Sequence, residues 1–191
     1  AEEVRPVGRI QKWDERVLAF IQRNMHCSFL DAVMPVISAF GNFGGIWLAT
    51  GLAFLFFPHY RINGIVLLSM LSMGVLVGNI CVKPFVARLR PCHRYPEWPL
   101  LVNRPKDYSF PSCHTLAAFI SVPILMWAHP LIGIMGLIIA VLIAFSRMYL
   151  FVHYPSDVLA AVIMGLTMPF SALLILVRLF GTIYRRRQFG V

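Results

Sequence analysis

Residues 32–57 contain no charged side chain, and four more uncharged apolar runs follow at 64–82, 115–128, 131–145 and 158–177. This feature limits the fold more than any other. A bilayer core of about 30 Å takes about 20 apolar residues per helical span. Only structures that satisfy their own backbone hydrogen bonds can cross it. The runs therefore predict an all-α, polytopic transmembrane helical bundle of about five spans. Composition agrees: the 191 residues are 59% hydrophobic and 13% charged, against about 25% charged for soluble domains. The formal charge of +9 has no separate basic domain to carry it, so nucleic acid is not expected as a partner. Anionic headgroups and a phosphate-bearing lipid suit it better. The four cysteines, Cys27, Cys81, Cys92 and Cys113, show no CxxC spacing, so neither zinc nor a redox pair is expected. Cys81, inside an apolar run, reads as a small buried hydrophobe.

Three segments are expected. Residues 1–28 hold a polar tail, with no apolar signal core in AEEVRPVGRI, and a helix over 13–24. There Trp13, Val17, Phe20 and Ile21 form an apolar stripe opposite Asp14, Glu15, Gln22 and Arg23. Being too short to span, it reads as an interfacial amphipathic helix. Residues 29–180 form the transmembrane catalytic domain, with Pro35 and GNFGG (41–45) breaking its first hydrophobic stretch. Residues 181–191 form a basic tail. Residues 92–109, with three prolines, read as a loop.

Three polar islands interrupt the apolar runs: KPFVARLRP (83–91), FPSCHT (110–115) and SRMYLFVHYPSD (146–157). Counting spans, the first island ends one, the second begins one, and the third lies between two. All three therefore fall on one face of the membrane. Arg61, Arg185, Arg186 and Arg187 fall on the other face, and the positive-inside rule then directs the islands outward. Arg5, Arg9, Lys12, Arg16 and Arg23 count the other way. The expectation adopted is an integral membrane protein of the inner or plasma membrane, with its site on the outer or periplasmic face.

Charged groups this close to a bilayer mark function. Lys83 and Arg90 are seven residues apart, which on a continued helix puts them on one face about 10 Å apart along the axis. Pro91 would then stop that helix. Lys83 taken alone also fits snorkelling at a helix end, and Arg88 fits a headgroup contact. Ser112 suits a helix N-cap with free amide donors beyond it, and His114 lies in the same first turn. Capping with a surface histidine reads equally well there. Arg147 ends an apolar run, where an arginine needs a partner. Asp157 follows His153 by four residues, in the first turn of a helix begun by Pro155. Asp157 can stabilise that helix N-terminus. It can also accept from one imidazole nitrogen and leave the other as a nucleophile. Together these parts describe phosphoryl transfer. Cations and amides neutralise phosphoryl oxygens, one histidine attacks phosphorus, and another protonates the leaving oxygen. Asp107, Asp157 and Glu97 are too few and too scattered to hold a metal, so neither metal nor other cofactor is expected.

The spacings K-x6-R-P (Lys83, Arg90, Pro91), P-S-x-H (Pro111, Ser112, His114) and S-R-x5-H-x3-D (Ser146, Arg147, His153, Asp157) resemble the type 2 phosphatidic acid phosphatase (PAP2) superfamily. That superfamily includes undecaprenyl-diphosphate phosphatases and vanadium haloperoxidases. The resemblance implies a PAP2/haloperoxidase-like helical core. It also implies His153 as a nucleophile forming phosphohistidine, Asp157 orienting it, and His114 as general acid. Lys83, Arg90 and Arg147, with Ser112 and the amide of Cys113, would bind the phosphoryl oxygens. Cys113 departs from the glycine usual in the family. The implied activity is metal-independent hydrolysis of a lipid phosphate or diphosphate, with undecaprenyl diphosphate as the leading substrate. Phosphatidic acid, phosphatidylglycerophosphate and lipid A phosphates are alternatives. A non-catalytic lipid-phosphate binder or transporter is a further reading. A haloperoxidase is disfavoured, because the spans leave little soluble fold.

Overall fold

The computed structural model describes residues 8–189, with side chains as far as residue 172. Arg5 and the side chains of Arg185, Arg186 and Arg187 lie outside the described residues. Every regular element among those residues is helical: α1 (Arg9–Asn24), α2 (Ser28–Phe40), α3 (Gly45–Phe56), α4 (Arg61–Val75), α5 (Lys83–Val86), α6 (Pro91–Arg94), α7 (Cys113–Ala128), α8 (Pro130–Tyr149) and α9 (Pro155–Phe189). Three helical stretches are long and apolar enough to cross a membrane, or four if the pair α2 and α3, bent by 46° at its break, counts as one. The remaining run, at 115–128, lies in α7, which has 16 residues and is about 24 Å long.

α7 is the axis of the bundle. It is apolar all round and buries Leu116, Ala118, Phe119, Ile120, Val122, Ile124 and Leu125, as a helix enclosed by others must. α4, α8 and α9 pack against it. α8 reverses the usual amphipathic pattern: Gly133, Gly136, Ala140 and Ala144 face inward, while Leu131, Ile134, Ile138 and Val141 face outward. Small residues on the inner stripe bring the backbones close in a lipid-facing bundle. At the α7–α9 contact, a Cβ on Gly165 would come within 2.8 Å of Phe119 Cβ, so only glycine fits.

A second cluster lies under the polar face. Leu18 and Ile21 of α1, Met34 of α2, Cys92 of α6 and the segment Tyr149, Leu150, Phe151, Val152 and Tyr154 pack together. It anchors the turn between α8 and α9, where His153 sits.

The structure corrects four sequence expectations. The helix carrying Lys83 does not continue to Arg90. A π-helical turn (Leu76–Val82) leads into α5, which ends where Ala87 takes φ 47°. Arg90 is then extended, and Pro91 begins α6 instead of ending a helix, a first-turn position that suits its fixed φ. α2 runs through Pro35 unbroken, and the interruption comes at residues 41–44. α1 is docked by Asp14, Leu18 and Ile21, whereas Trp13 and Phe20 are exposed. The expected apolar stripe is thus split, with Ile21 packed and Val17 partly buried, and Asp14, read on the opposite side, is fully buried. Finally, Cys81 is exposed, not buried.

Candidate active site

The three islands converge on one cavity of about 1130 Å³, whose lining includes Lys83, Arg90, Asp107, Cys113, His114, Arg147 and His153. The cavity extends between α3 and α4, past Leu48, Leu71, Ser72 and Val75.

His153 is at its floor, 1% exposed. Arg90 Nη1 lies 2.8 Å from His153 Nε2 and also donates to the Val152 carbonyl at 2.8 Å. An arginine can only donate, so Nε2 accepts and the ring proton belongs on Nδ1. Burial, then the charges of Arg90 and Arg147, hold His153 well below the usual imidazole range. The ring is therefore neutral, with its Nε2 lone pair turned toward the cations.

Nδ1 faces the protein interior. Asp157 Oδ2 lies 3.8 Å away, beyond hydrogen-bond reach, so the direct His153–Asp157 bond expected from the i, i+4 spacing is not made. Ser109 lies between them. Its Oγ donates to Asp157 Oδ2 at 2.5 Å and lies 3.5 Å from His153 Nδ1. Asp157 Oδ2 also accepts from the Tyr154 amide at 3.0 Å, the N3-to-N-cap half of a capping box on α9. One oxygen of Asp157 thus serves both the start of α9 and the Ser109 hydroxyl that lies between it and His153.

The cations are differently placed. Lys83 Nζ and Arg90 Nη2 both meet the Asp107 carboxylate, the arginine at 2.8 Å, and Arg90 Nε donates to the Asp107 carbonyl at 2.9 Å. Burial pushes the Asp107 carboxyl up, but Lys83 and Arg90 outweigh it and hold it at about 2. Arg147, 6% exposed, donates through Nη1 to Ser38 Oγ, and its buried Nε has no partner among the described residues. A buried cation on a cavity wall, with no carboxylate partner among the described residues, is suited to an anion.

His114 Nε2 lies 2.9 Å from Asn42 Oδ1. Asn42 belongs to the break between α2 and α3, and a Cβ on the adjacent Gly41 would come within 2.9 Å of His114 Cδ2. The break therefore sets where this imidazole sits. Ser112 occupies the N-cap position of α7, but its side chain makes no capping bond. Instead its Oγ pairs with Thr115 Oγ1 at 3.0 Å. Ser112 is fully buried and is not part of the cavity lining.

Arg88 is not a headgroup contact. Its guanidinium donates to Asp157 Oδ1 and to Asp14 Oδ2, each at 2.6 Å, and lies 4.0 Å over the Tyr154 ring. Burial lowers its proton affinity, but the two carboxylates outweigh that and raise it.

Residues 62–182 match the PAP2 superfamily. The chain belongs to the PAP2 superfamily. An undecaprenyl-diphosphatase of Sulfolobus acidocaldarius is 33% identical over 137 residues, covering 71% of this chain and 66% of that protein. A lipid A 4'-phosphatase of Porphyromonas gingivalis is 30% identical, covering 80% of this chain and 68% of the relative. The chain thus spans about two thirds of the length of these curated relatives. The crystal structure of a transmembrane PAP2-type phosphatidylglycerolphosphate phosphatase from Bacillus subtilis superimposes with a TM-score of 0.69 at 26% identity, covering 93% of this chain and 88% of that one.

Of the PAP2 motif residues, Lys83, Arg90, Cys113, His114, Arg147 and His153 meet at the cavity, with Asp157 directly behind. Cys113, at the unusual position, directs its thiol to Asn79 Oδ1 at 2.8 Å, on the π-helical turn. Sequence reasoning missed Asn42, Ser109, Asp14 and the role of Arg88. Ser109 stands next to the second island, and Arg88 by its position in the sequence reads as a headgroup contact. Asp14 and Asn42 gave no signal, because their partners are more than 70 residues away in sequence.

Proposed function

We propose that the protein is an integral membrane lipid phosphatase that works through phosphohistidine on His153, with undecaprenyl diphosphate as the leading substrate. The observation that carries this reading is the two-sided environment of His153. Its Nε2 lone pair lies toward a cation-lined cavity, and its Nδ1 proton toward Ser109 and Asp157. In the first step Nε2 forms a bond to phosphorus while the bond from phosphorus to the leaving oxygen breaks. Lys83, Arg90 and Arg147 stabilise the charge on the equatorial oxygens, assisted by the free amides at the start of α7. His114, as the imidazolium that the bound phosphoryl anion favours, gives one proton to the leaving oxygen and is left neutral. Water then attacks the phosphohistidine, with His114 taking its proton, and inorganic phosphate leaves. Ser109 and Asp157 steady the imidazolium character that develops on His153. Every step uses residues of this chain.

The lipid nature of the substrate is supported by the extension of the cavity past Leu48, Leu71 and Val75 between α3 and α4. Undecaprenyl diphosphate leads because of the archaeal relative, and phosphatidylglycerophosphate is favoured next by the Bacillus structure. An outer-face site is proposed on the positive-inside reading of Arg61 and the arginines at 185–187, set against Arg9, Lys12, Arg16 and Arg23 of α1 on the site side.

The deciding assay is phosphate release in EDTA by detergent-purified protein on undecaprenyl diphosphate, undecaprenyl phosphate, phosphatidic acid, phosphatidylglycerophosphate and lipid A. We expect one lipid to be preferred, and His153→Ala to lose all turnover while remaining folded. A strict need for Mg²⁺, or a fully active His153→Ala, refutes the mechanism. Absence of release from every lipid moves the protein to the lipid-phosphate binder class.

A further inference from the structure

The chemistry above uses Asp157 to hold His153, which raises the question of what holds Asp157. Its Oδ2 is committed to Ser109 and the Tyr154 amide, and its Oδ1 accepts from a single group, Arg88 Nη1, at 2.6 Å. Arg88 is in turn held from α1. Its Nη2 donates to Asp14 Oδ2 and to Gln11 Oε1, both at 2.6 Å. Asp14 also reaches α9 directly, accepting from the Ser156 amide at 2.8 Å and the Ser156 hydroxyl at 2.6 Å. A residue of α1 thus occupies an N-terminal donor of α9, a place normally filled by the helix's own cap. Asp14 and Asp157 are both fully buried, and one guanidinium serves both.

This arrangement has an electrostatic consequence. A buried arginine with one carboxylate partner neutralises it. Shared between two, the cluster keeps one net negative charge, held on the side of His153 away from the cations. Removing the charge of Asp14 draws Arg88 wholly onto Asp157, which turns the carboxylate and weakens its support of a positively charged His153. The cations that face substrate are not touched.

We propose that Asp14 and Arg88 are positioning residues of the phosphatase. In this reading Arg88 acts on His153 through Asp157, and Asp14 acts through Arg88, so that the N-terminal helix is a working part of the active site. Asp14 lies outside the matched segment 62–182, so the family match does not account for it. The inference rests on the function proposed above.

The test uses the full chain in detergent with undecaprenyl diphosphate, reading kcat, KM and vanadate inhibition per folded protein, with thermal melting alongside. Asp14→Asn is expected to lower kcat about 10- to 100-fold, the scale for a displaced catalytic geometry, with KM and the vanadate constant within twofold. In an Asp157→Asn background it should add little, because both act on one chain of contacts. Tyr95→Phe, which removes the 2.8 Å bond of Tyr95 to Glu15 on α1 and leaves the Glu15–Gln11 and Gln11–Arg88 contacts in place, should leave kcat unchanged. If Asp14→Asn does not fold, Arg88→Lys decides: a single ammonium keeps the charge but cannot span both carboxylates, and the same loss of kcat at constant KM is expected. Wild-type kcat in the folded variants, a rise in KM matched by weaker vanadate binding, or multiplicative losses with Asp157→Asn would overturn the proposal while leaving the phosphatase reading intact. A wild-type protein without turnover overturns both.

Discussion

His153 divides the polar face into two unlike regions. In front of Nε2 is an open cavity whose cations have little counter-charge: Lys83 and Arg90 share the half-exposed Asp107, and Arg147 has no carboxylate partner among the described residues. Behind Nδ1 is a closed network in which Ser109, Asp157, Arg88, Asp14 and Ser156 satisfy one another. The front is built to receive charge and the back to hold geometry. A buried cation without a counter-ion is costly, and an anionic ligand relieves it. A fully paired network rigidifies what it touches.

The largest expected effects separate the two regions. Arg147→Ala removes a front cation and should cost about 10²–10³ in kcat/KM, as for a lost oxyanion donor, with vanadate inhibition weakened in parallel. Asp157→Asn should cost about 10³–10⁴ in kcat, the scale for a lost histidine-orienting acid, with vanadate inhibition nearly unchanged. Steady-state kinetics with a vanadate titration reads both. Parallel weakening of vanadate in the two variants would erase the division into front and back.

These regions were unequally legible in the sequence. Lys83, Arg90, Arg147 and His153 stand out because charge beside long apolar runs is conspicuous, and span parity alone brings them to one face. The bundle was legible for the same reason: one uncharged run after another admits little besides helices. The back network escaped because its partners are distant. Asp14 meets Arg88 across 74 positions and Ser156 across 142, and on α1 an aspartate beside a tryptophan looks like an ordinary solvated residue. The packed face of α1 is set by where α8 and α9 lie, which no local periodicity encodes. The turn at Ala87 was equally hidden. Nothing in VARLR announces a left-handed residue, yet that turn sends Arg88 inward and Arg90 to His153.

A smaller effect is expected at Asp107. It occupies Lys83 and Arg90 with a carboxylate, the same interaction a phosphoryl oxygen would make. Its carboxyl is held at about 2, below the ordinary carboxylate range. Its ion pairs are therefore complete at neutral pH and are lost only as the pH falls through about 2. An incoming phosphate has to displace this carboxylate at any working pH. Asp107→Asn should tighten inhibition by vanadate or inorganic phosphate severalfold. Weaker inhibition would mean that Asp107 instead prepares Arg90 for substrate, through the backbone carbonyl that receives Arg90 Nε at 2.9 Å, and would assign it to the holding region.

The smallest effect is expected at Cys113, where the two regions can be compared at a single residue. Its backbone amide begins α7, while its thiol donates to Asn79 on the π-helical turn, and both residues line the cavity. If the front region needs only the amide, the side chain is dispensable, and Cys113→Gly should keep kcat and KM within about twofold. The loss should appear in thermal stability, by about 1 kcal/mol for a helix-start glycine and a forfeited weak hydrogen bond. Alkylation sharpens the test, because a thiol-directed reagent adds bulk at a cavity wall. It should inhibit the wild-type protein and spare Cys113→Gly, with substrate or vanadate protecting. A severe loss of activity in Cys113→Gly would show that the thiol itself, through Asn79, fixes the position of Lys83 four residues further along the chain.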